Sequence, residues 1–317
     1  MMKICHVDPA CGLSIPPRDW GAIEKIIWEF EENQRFLGYE STHKMAGLIQ
    51  PGEFDIVHCH VANLALSLKE RGIPYIFQLH DHHAYHYGKD SHVYKENLAA
   101  IEGSLISLMP ANFLVNYFNH PKCIYFSHGV NVNEFYPIKN KVKPTNPKLL
   151  MIANNGLAGQ PTFDRKGFTY GLGLAMLNNL EITIAGPSHN KNFFNGHLWM
   201  LNYPKLNLVF DTPNSRLLEL YHSHDIFVHP TMLEAGHPNL TMVEAMSAGL
   251  PVIADWEHEV TLHGCWRAPR DIFEMDRGLK DILNNWDGYR NNCFNTSNEL
   301  SWLNRTKELM KIYNQFI

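Results

Sequence analysis

Glu234 and Glu244 are separated by nine residues, with Pro238-Asn239 between them, and an Ala-Met-Ser-Ala-Gly-Leu-Pro-Val run follows at 245–252. An apolar run at 226–228 stops at His229-Pro230, and a second apolar run lies at 252–254. Strand, glycine-bearing loop, helix and strand in that order make a βαβ unit. The first turn of its helix, around Pro238, Asn239, Leu240 and Thr241, offers backbone N–H groups and the positive end of a helix dipole to an anion. Two carboxylates beside that site can grip neutral hydroxyls. An anion flanked by hydroxyls is the chemistry of a sugar nucleotide.

Other clusters carry charge or imidazole. Asp164-Arg165-Lys166-Gly167-Phe168 precedes a helix and sets two cations side by side. Both reach one diphosphate only if the chain turns there, because neighbours in an extended chain point apart. His80-Asp81-His82-His83 closes a strand and, with His86, places four imidazoles within seven residues. Such a cluster can ligate a metal. Alternatively, a neutral imidazole can hydrogen-bond a hydroxyl and support charge at a carbon under attack. No carboxylate triad accompanies the cluster, and no metal cofactor is expected. His58 and His60 end the neighbouring strand, where they are expected on opposite faces with His60 toward the ligand. Gly21 lies between a Pro16-Pro17 loop and a long helix, where glycine permits close approach of backbone to ligand. An ordinary helix start, with Asp19 as cap and Glu24 in the first turn, is the alternative there.

These residues need rigid elements to hold them. Apolar strand-like runs at 3–7, 56–60, 75–79, 105–109 and 124–126 alternate with helical patterns at 22–37, 62–69, 94–101 and 111–118. A second set of strands is expected at 149–153, 182–185, 208–210, 226–228 and 252–254. The alternation is that of open parallel α/β sheets. Between the sets lies IKNKVKPTNP, polar and proline-bearing, which marks a domain boundary. Two doubly wound domains place a ligand crevice at the carboxyl ends of their strands.

The 244–252 run closely resembles the donor-binding signature of retaining, family 4-like glycosyltransferases of the GT-B fold, which include sucrose and glycogen synthases. In that family seven residues separate the two glutamates. Here Gly236 holds that position, so Glu234 serves only if the loop bulges. Lys166-Gly167 resembles the family's Lys-Gly pair; Asn154-Asn155-Gly156 stands where its arginine usually lies, which leaves Arg165 as the candidate. Gly21-Ala22 resembles the family's Gly-Gly loop, and SHGVNVNEFYP at 127–137 resembles its interdomain segment. The resemblance implies two Rossmann-like domains with a cleft between them: 1–140 on the acceptor side, 148–299 binding the nucleotide sugar, and 300–317 a helix returning to the first domain. It implies a retaining, metal-independent hexosyltransferase, with a UDP-glucose type donor as the family prior. His80, Arg165, Lys166 and Glu234 would be catalytic. Gly21, Lys166, Glu234, Pro238, Asn239, Leu240, Thr241, Glu244, Gly186 and Thr212 would hold the donor. Pro17, Trp20, His60, Asp81 and His83 would face the acceptor.

At 317 residues the chain accommodates two ordinary domains, and 45% hydrophobic with 19% charged residues is a globular composition. The net charge is −5, and residues 1–140 hold 11 Lys and Arg against 15 Asp and Glu. That balance argues against a nonspecific grip on a polyanion. The family resemblance leaves a surface glycan as the default acceptor, and the acidic balance counts against a modified nucleobase in DNA. Six cysteines show no C-x-x-C pair, and neither a signal-peptide h-region nor a membrane span is apparent, so a cytoplasmic protein with free thiols is expected. Two alternatives share the donor: a sugar-nucleotide epimerase of the same fold, and a GT-B-like protein that binds without turnover.

Overall fold

Short apolar runs become the central strands of two parallel sheets, and one polar run, ESTHK at 40–44, forms an edge. The computed structural model describes residues 1–10, 12–17, 21–155, 162–232, 234–254 and 262–317. The chain divides into two units: Met1–Gly129 with Glu234–Pro238 and Leu300–Ile317, and Val130–Leu233 with Asn239–Glu299.

In the first unit β1 (Lys3–Val7), β2 (Glu40–Lys44), β3 (Ile56–Cys59), β4 (Ile76–Gln78), β5 (Ser107–Met109) and β6 (Cys123–Tyr125) lie in the order β2-β1-β3-β4-β5-β6. All pairings are parallel. The helices are α1 (Ala22–Phe36), α2 (Ala62–Glu70), α3 (His83–Tyr87), α4 (His92–Gly103) and α5 (Asn112–Phe118), with a C-terminal helix at Trp302–Tyr313. The sequence pattern does not anticipate β2. Its ESTHK is polar because it is an edge strand, whereas β3 and β4 are buried along their whole length and read as apolar.

In the second unit β7 (Leu149–Ile152), β8 (Ile182–Gly186), β9 (Leu206–Phe210), β10 (Ile226–His229), β11 (Val252–Ala254) and β12 (Cys265–Arg267) lie in the order β12-β11-β10-β7-β8-β9, again parallel. Its helices are α6 (Phe168–Leu177), α7 (Lys191–Gly196), α8 (Leu217–His222), α9 (Leu240–Ser247), α10 (Ile272–Asn284) and α11 (Trp286–Glu299). β12 is the second unanticipated strand and also an edge. The stretch expected as a linker is bound to this unit: Arg290 donates to the carbonyls of Ile138 and Lys141, both at 2.9 Å, and Lys141 pairs with Asp225 at 3.0 Å. No helix among the described residues is long and apolar enough to cross a membrane.

Strand order reverses between β1 and β3 in one sheet and between β7 and β10 in the other. Loops leaving neighbouring strands part at such a point and open a crevice outside the carboxyl ends.

The C-terminal helix belongs to the first unit although the chain has by then built the second. Trp302 is 2% exposed and meets Phe30 of α1 edge-on, with ring centroids 5.2 Å apart. Arg305 donates to Ser127 Oγ at 2.7 Å, and the Tyr313 hydroxyl lies 2.6 Å from His58 Nδ1. Trp302→Ala should therefore destabilise the first unit by about 3–5 kcal/mol, the range for deleting a large buried aromatic. A urea titration followed by far-ultraviolet circular dichroism checks this; a loss below about 1 kcal/mol would show that the helix is not anchored there.

Candidate functional site

In the second unit the loop after β7 returns as a tight turn at 165–166 before entering α6. Gly167 makes the turn possible. Its φ is +73°, and a Cβ there would stand 2.2 Å from the Pro230 carbonyl oxygen, so neither angle nor space admits a side chain. Asp164 accepts from the backbone N–H of Phe168 (2.7 Å) and Thr169 (2.9 Å), which caps α6. Asn155 accepts from Lys166 N–H at 3.0 Å and donates to the Phe163 carbonyl at 2.8 Å. Arg270 donates to the carbonyls of Pro230 (2.7 Å), Asp164 (2.6 Å) and Arg165 (3.1 Å). The loops after β7 and β10 are thus bolted together beside the reversal of strand order.

The turn that the two cations require is present. Arg165 and Lys166 are both buried, at 6% and 5% exposed. Burial lowers the Arg165 pKa to about 10, with the Arg270 charge adding to the effect. Burial also pushes Lys166 well below its ordinary value, and the Arg165 charge adds to it. An anion beside such a pair favours the charged form of both.

Helix α9 begins at the expected anion site. Asn239 caps it, its side chain accepting from Thr241 N–H (2.9 Å) and Thr241 Oγ1 (2.7 Å), while Met242 and Val243 N–H go to the Asn239 carbonyl. Thr241 N–H is thus engaged by the capping asparagine. Glu244, one turn further, is buried and accepts from the Tyr221 hydroxyl at 3.0 Å. Burial, with the Glu244 charge adding, raises the Tyr221 pKa well above its ordinary value, so the hydroxyl stays a donor. This bond orients the Glu244 carboxylate. At the carboxyl end of β9 a cavity of about 350 Å³ is lined by Phe210, Asp211, Thr212 and Pro213 among others, and Thr212 Oγ1 is buried with no hydrogen-bond partner among the described residues. Gly186 is explained by packing, since a Cβ there would fall 2.3 Å from the Ala153 carbonyl oxygen.

The first unit gathers imidazoles at its own reversal. His6 on β1 stands opposite His58 on β3. His80 Nε2 lies 2.9 Å from His60 Nδ1, His60 Nε2 lies 3.0 Å from His6 Nδ1, and His6 Nε2 lies 3.1 Å from Gln34 Oε1. Gln34 Oε1 also accepts from the Ser41 hydroxyl at 2.6 Å. An amide oxygen only accepts, so His6 donates from Nε2, His60 donates to His6, and His80 donates to His60. The His58 and His60 rings lie 4.3 Å apart and stacked, not on opposite faces; positions two apart on a strand share a face. Burial lowers His6 and His128 to about 4 and His80 to about 3, and takes His58 and His60 well below the ordinary value.

Segment Glu234–Pro238 belongs to this unit. His237 N–H donates to the Pro110 carbonyl at 3.0 Å, the Tyr125 hydroxyl donates to the His237 carbonyl, and a Cβ at Gly236 would stand 2.7 Å from His128 Nδ1. Glu234, 9% exposed, and Pro238 go with the first unit, whereas Asn239, Leu240, Thr241 and Glu244 go with the second. Gly21 is crowded by Pro17 and Glu24, each 2.9 Å from where its Cβ would be. Asp81 accepts from His83 N–H at 2.8 Å and lies 3.5 Å from His83 Nδ1, a local pair of groups each about half exposed. Trp20, Asp19 and Gly156 lie outside the described residues. Sequence reasoning missed His6, His128, Asn155, Tyr221 and Arg270. The even spacing of His58 and His60 could have signalled a shared face; nothing local marks the other residues.

Residues 170–262 match the family described as Glycosyl transferases group 1. No curated protein sequence matches the chain. Among solved structures it is similar to sucrose-phosphate synthase from Thermosynechococcus elongatus, at 14% identity and a TM-score of 0.75 over 99% of each chain. It is similar to HepE from Anabaena in complex with UDP and glucose, at 11% identity and a TM-score of 0.73 over 99% of this chain and 100% of that one. The catalytic domain of starch synthase IV from Arabidopsis thaliana, bound to ADP and acarbose, gives 11% identity and a TM-score of 0.66 over 99% of each chain. The fold is GT-B, with two Rossmann-like domains.

Neutral burial of His128 has a pH signature. Its folded pKa, about 4, lies below the ordinary 6.5. The unfolded state therefore binds more protons between those values, and stability is full above pH 6.5 and falls as pH drops toward 4. Each such group contributes a slope of up to about 1.4 kcal/mol per pH unit in that window. His128→Gln should flatten the decline seen in denaturant titrations from pH 7 to 4; an unchanged slope would show that His128 binds its proton equally well in the folded and unfolded states.

Proposed function

We propose that this chain is a glycosyltransferase that moves a sugar from a nucleoside diphosphate to a hydroxyl acceptor, without a metal at the diphosphate and with retention at the anomeric carbon. The observation that carries this reading is the buried Arg165-Lys166 turn at the strand-order reversal of the second sheet. Buried adjacent cations suit a diphosphate, which carries the charge to satisfy both and leaves as an anion when the sugar is transferred.

The remaining residues divide the donor by its chemistry. Glu244, oriented by Tyr221, accepts from ribose hydroxyls, and the start of α9 adds its dipole to the phosphate side. The cavity at Thr212 has the place and polarity for a nucleobase. HepE is described with UDP and glucose, which favours a UDP-hexose donor. His80 presents an imidazole to the reactive face of the sugar, Glu234 accepts from hydroxyls of the transferred sugar, and the leaving phosphate takes the acceptor proton. Neutral His80 avoids placing a second positive charge against an oxocarbenium-like carbon. A glycan hydroxyl remains the acceptor class, consistent with an acidic first half.

The binder without turnover has one observation in its favour: Gly236 takes the seven-residue position and lies against His128. Incubating the protein with a UDP-hexose, with and without oligosaccharide acceptors, separates the readings. Acceptor-dependent release of UDP supports transfer, acceptor-independent UDP supports an epimerase, and binding without UDP supports the third.

If Lys166 stabilises the departing diphosphate, Lys166→Ala should lower turnover by about two to three decades, the scale for losing one stabiliser of developing charge. Steady-state kinetics with circular dichroism as a folding control checks this. Turnover within about threefold of the parent would remove Lys166 from the mechanism.

A further inference from the structure

The histidines of the first sheet satisfy a requirement that the transfer reaction does not impose. One ring nitrogen from each of His6, His58 and His60 lies within 4.8 Å of the others, and all three residues are buried. Each ring has its other nitrogen engaged outside the trio: His6 Nε2 with Gln34 Oε1, His60 Nδ1 with His80 Nε2, and His58 Nδ1 with the Tyr313 hydroxyl. The nitrogens left to face inward are His6 Nδ1, His60 Nε2 and His58 Nε2. His58 Nε2 is buried and, among the described residues, has no hydrogen-bond partner. We propose that His6, His58 and His60 form a binding site for a first-row transition metal ion of the zinc type.

Three observations support this. Imidazole suits zinc, and three histidines are a set that leaves the fourth position to a water or hydroxide. Outward hydrogen bonds on every ring are the arrangement that fixes tautomer and orientation at metal sites. The ligands sit on adjacent parallel strands, His6 opposite His58 and His60 two residues on, so sheet geometry and not a loop sets their spacing. The one adjustment is small: His6 Nδ1 and His60 Nε2 stand 3.0 Å apart, against about 3.3 Å for two ligands at tetrahedral zinc.

Occupation would change what His80 presents. Without an ion, His80 Nε2 donates to His60 and its Nδ1 is a bare acceptor. With His60 Nε2 on the ion, His60 Nδ1–H donates to His80 and the proton of His80 moves to Nδ1. The site thus acts on His80 through His60, as a positioning device and not as a Lewis acid at the sugar.

The experiment is a Co²⁺ titration of the chelator-treated full chain, read by visible d–d absorption, with Zn²⁺ as competitor. One equivalent of Co²⁺ with the intense band of a four-coordinate site, displaced by Zn²⁺, is expected. His58→Gln should abolish the band, with folding checked by circular dichroism. If that variant does not fold, His60→Asn serves for the same comparison. His83→Gln/His86→Gln, which removes exposed imidazoles near the sheet end, should leave the band intact. Absence of the band, or a band lost in the His83/His86 variant and kept in the His58 variant, would overturn the site. Neither result bears on the diphosphate site, which is read separately by UDP binding.

Discussion

The structure depends on a constraint of parallel sheets: where strand order reverses, the loops leaving adjacent strands diverge, and side chains there cannot be held by apolar packing alone. Both units meet this constraint with polar groups in place of hydrocarbon. In the second, Asp164 and Asn155 fix the loop after β7, and Arg270 ties it to the loop after β10 through backbone carbonyls. In the first, imidazoles on β1 and beside β3 hydrogen-bond in a directed series that ends on Gln34. The chemistry of each unit follows from what its gap is filled with.

Burying two cations in a turn carries a desolvation cost, which the proposed diphosphate would offset. The turn is over-determined, because Gly167 admits no side chain and three other residues fix the backbone around it. A stiff frame of this kind allows charge stabilisation without reorganisation when a leaving group departs. Glu244 follows the same logic at smaller scale, being buried but aimed by Tyr221.

Much of the fold was legible because most inner strands of a parallel sheet are buried on both faces and read as apolar runs; β2 and β12 were missed because edges need not be apolar. Lys166-Gly167 and Glu244 were legible because local geometry fixes them: a left-handed glycine and a helix one turn past its cap. Arg270, Tyr221 and His128 were not, since each meets its partner across tens of residues of sequence. His58 and His60 show a different failure, in which the residues were seen but strand periodicity was misapplied. Glu234 and Glu244, close in sequence, fall into different units, a division that spacing alone does not reveal.

The central claim is that the Arg165-Lys166 turn binds the diphosphate of a nucleotide sugar. Isothermal titration with UDP, UMP and uridine tests it most directly, because the three differ only in phosphate. Binding that strengthens by at least about tenfold from UMP to UDP (about 1.4 kcal/mol), with the step lost in Lys166→Ala, is the result the account requires. Equal affinity for UMP and UDP, or a step that survives Lys166→Ala, would contradict it.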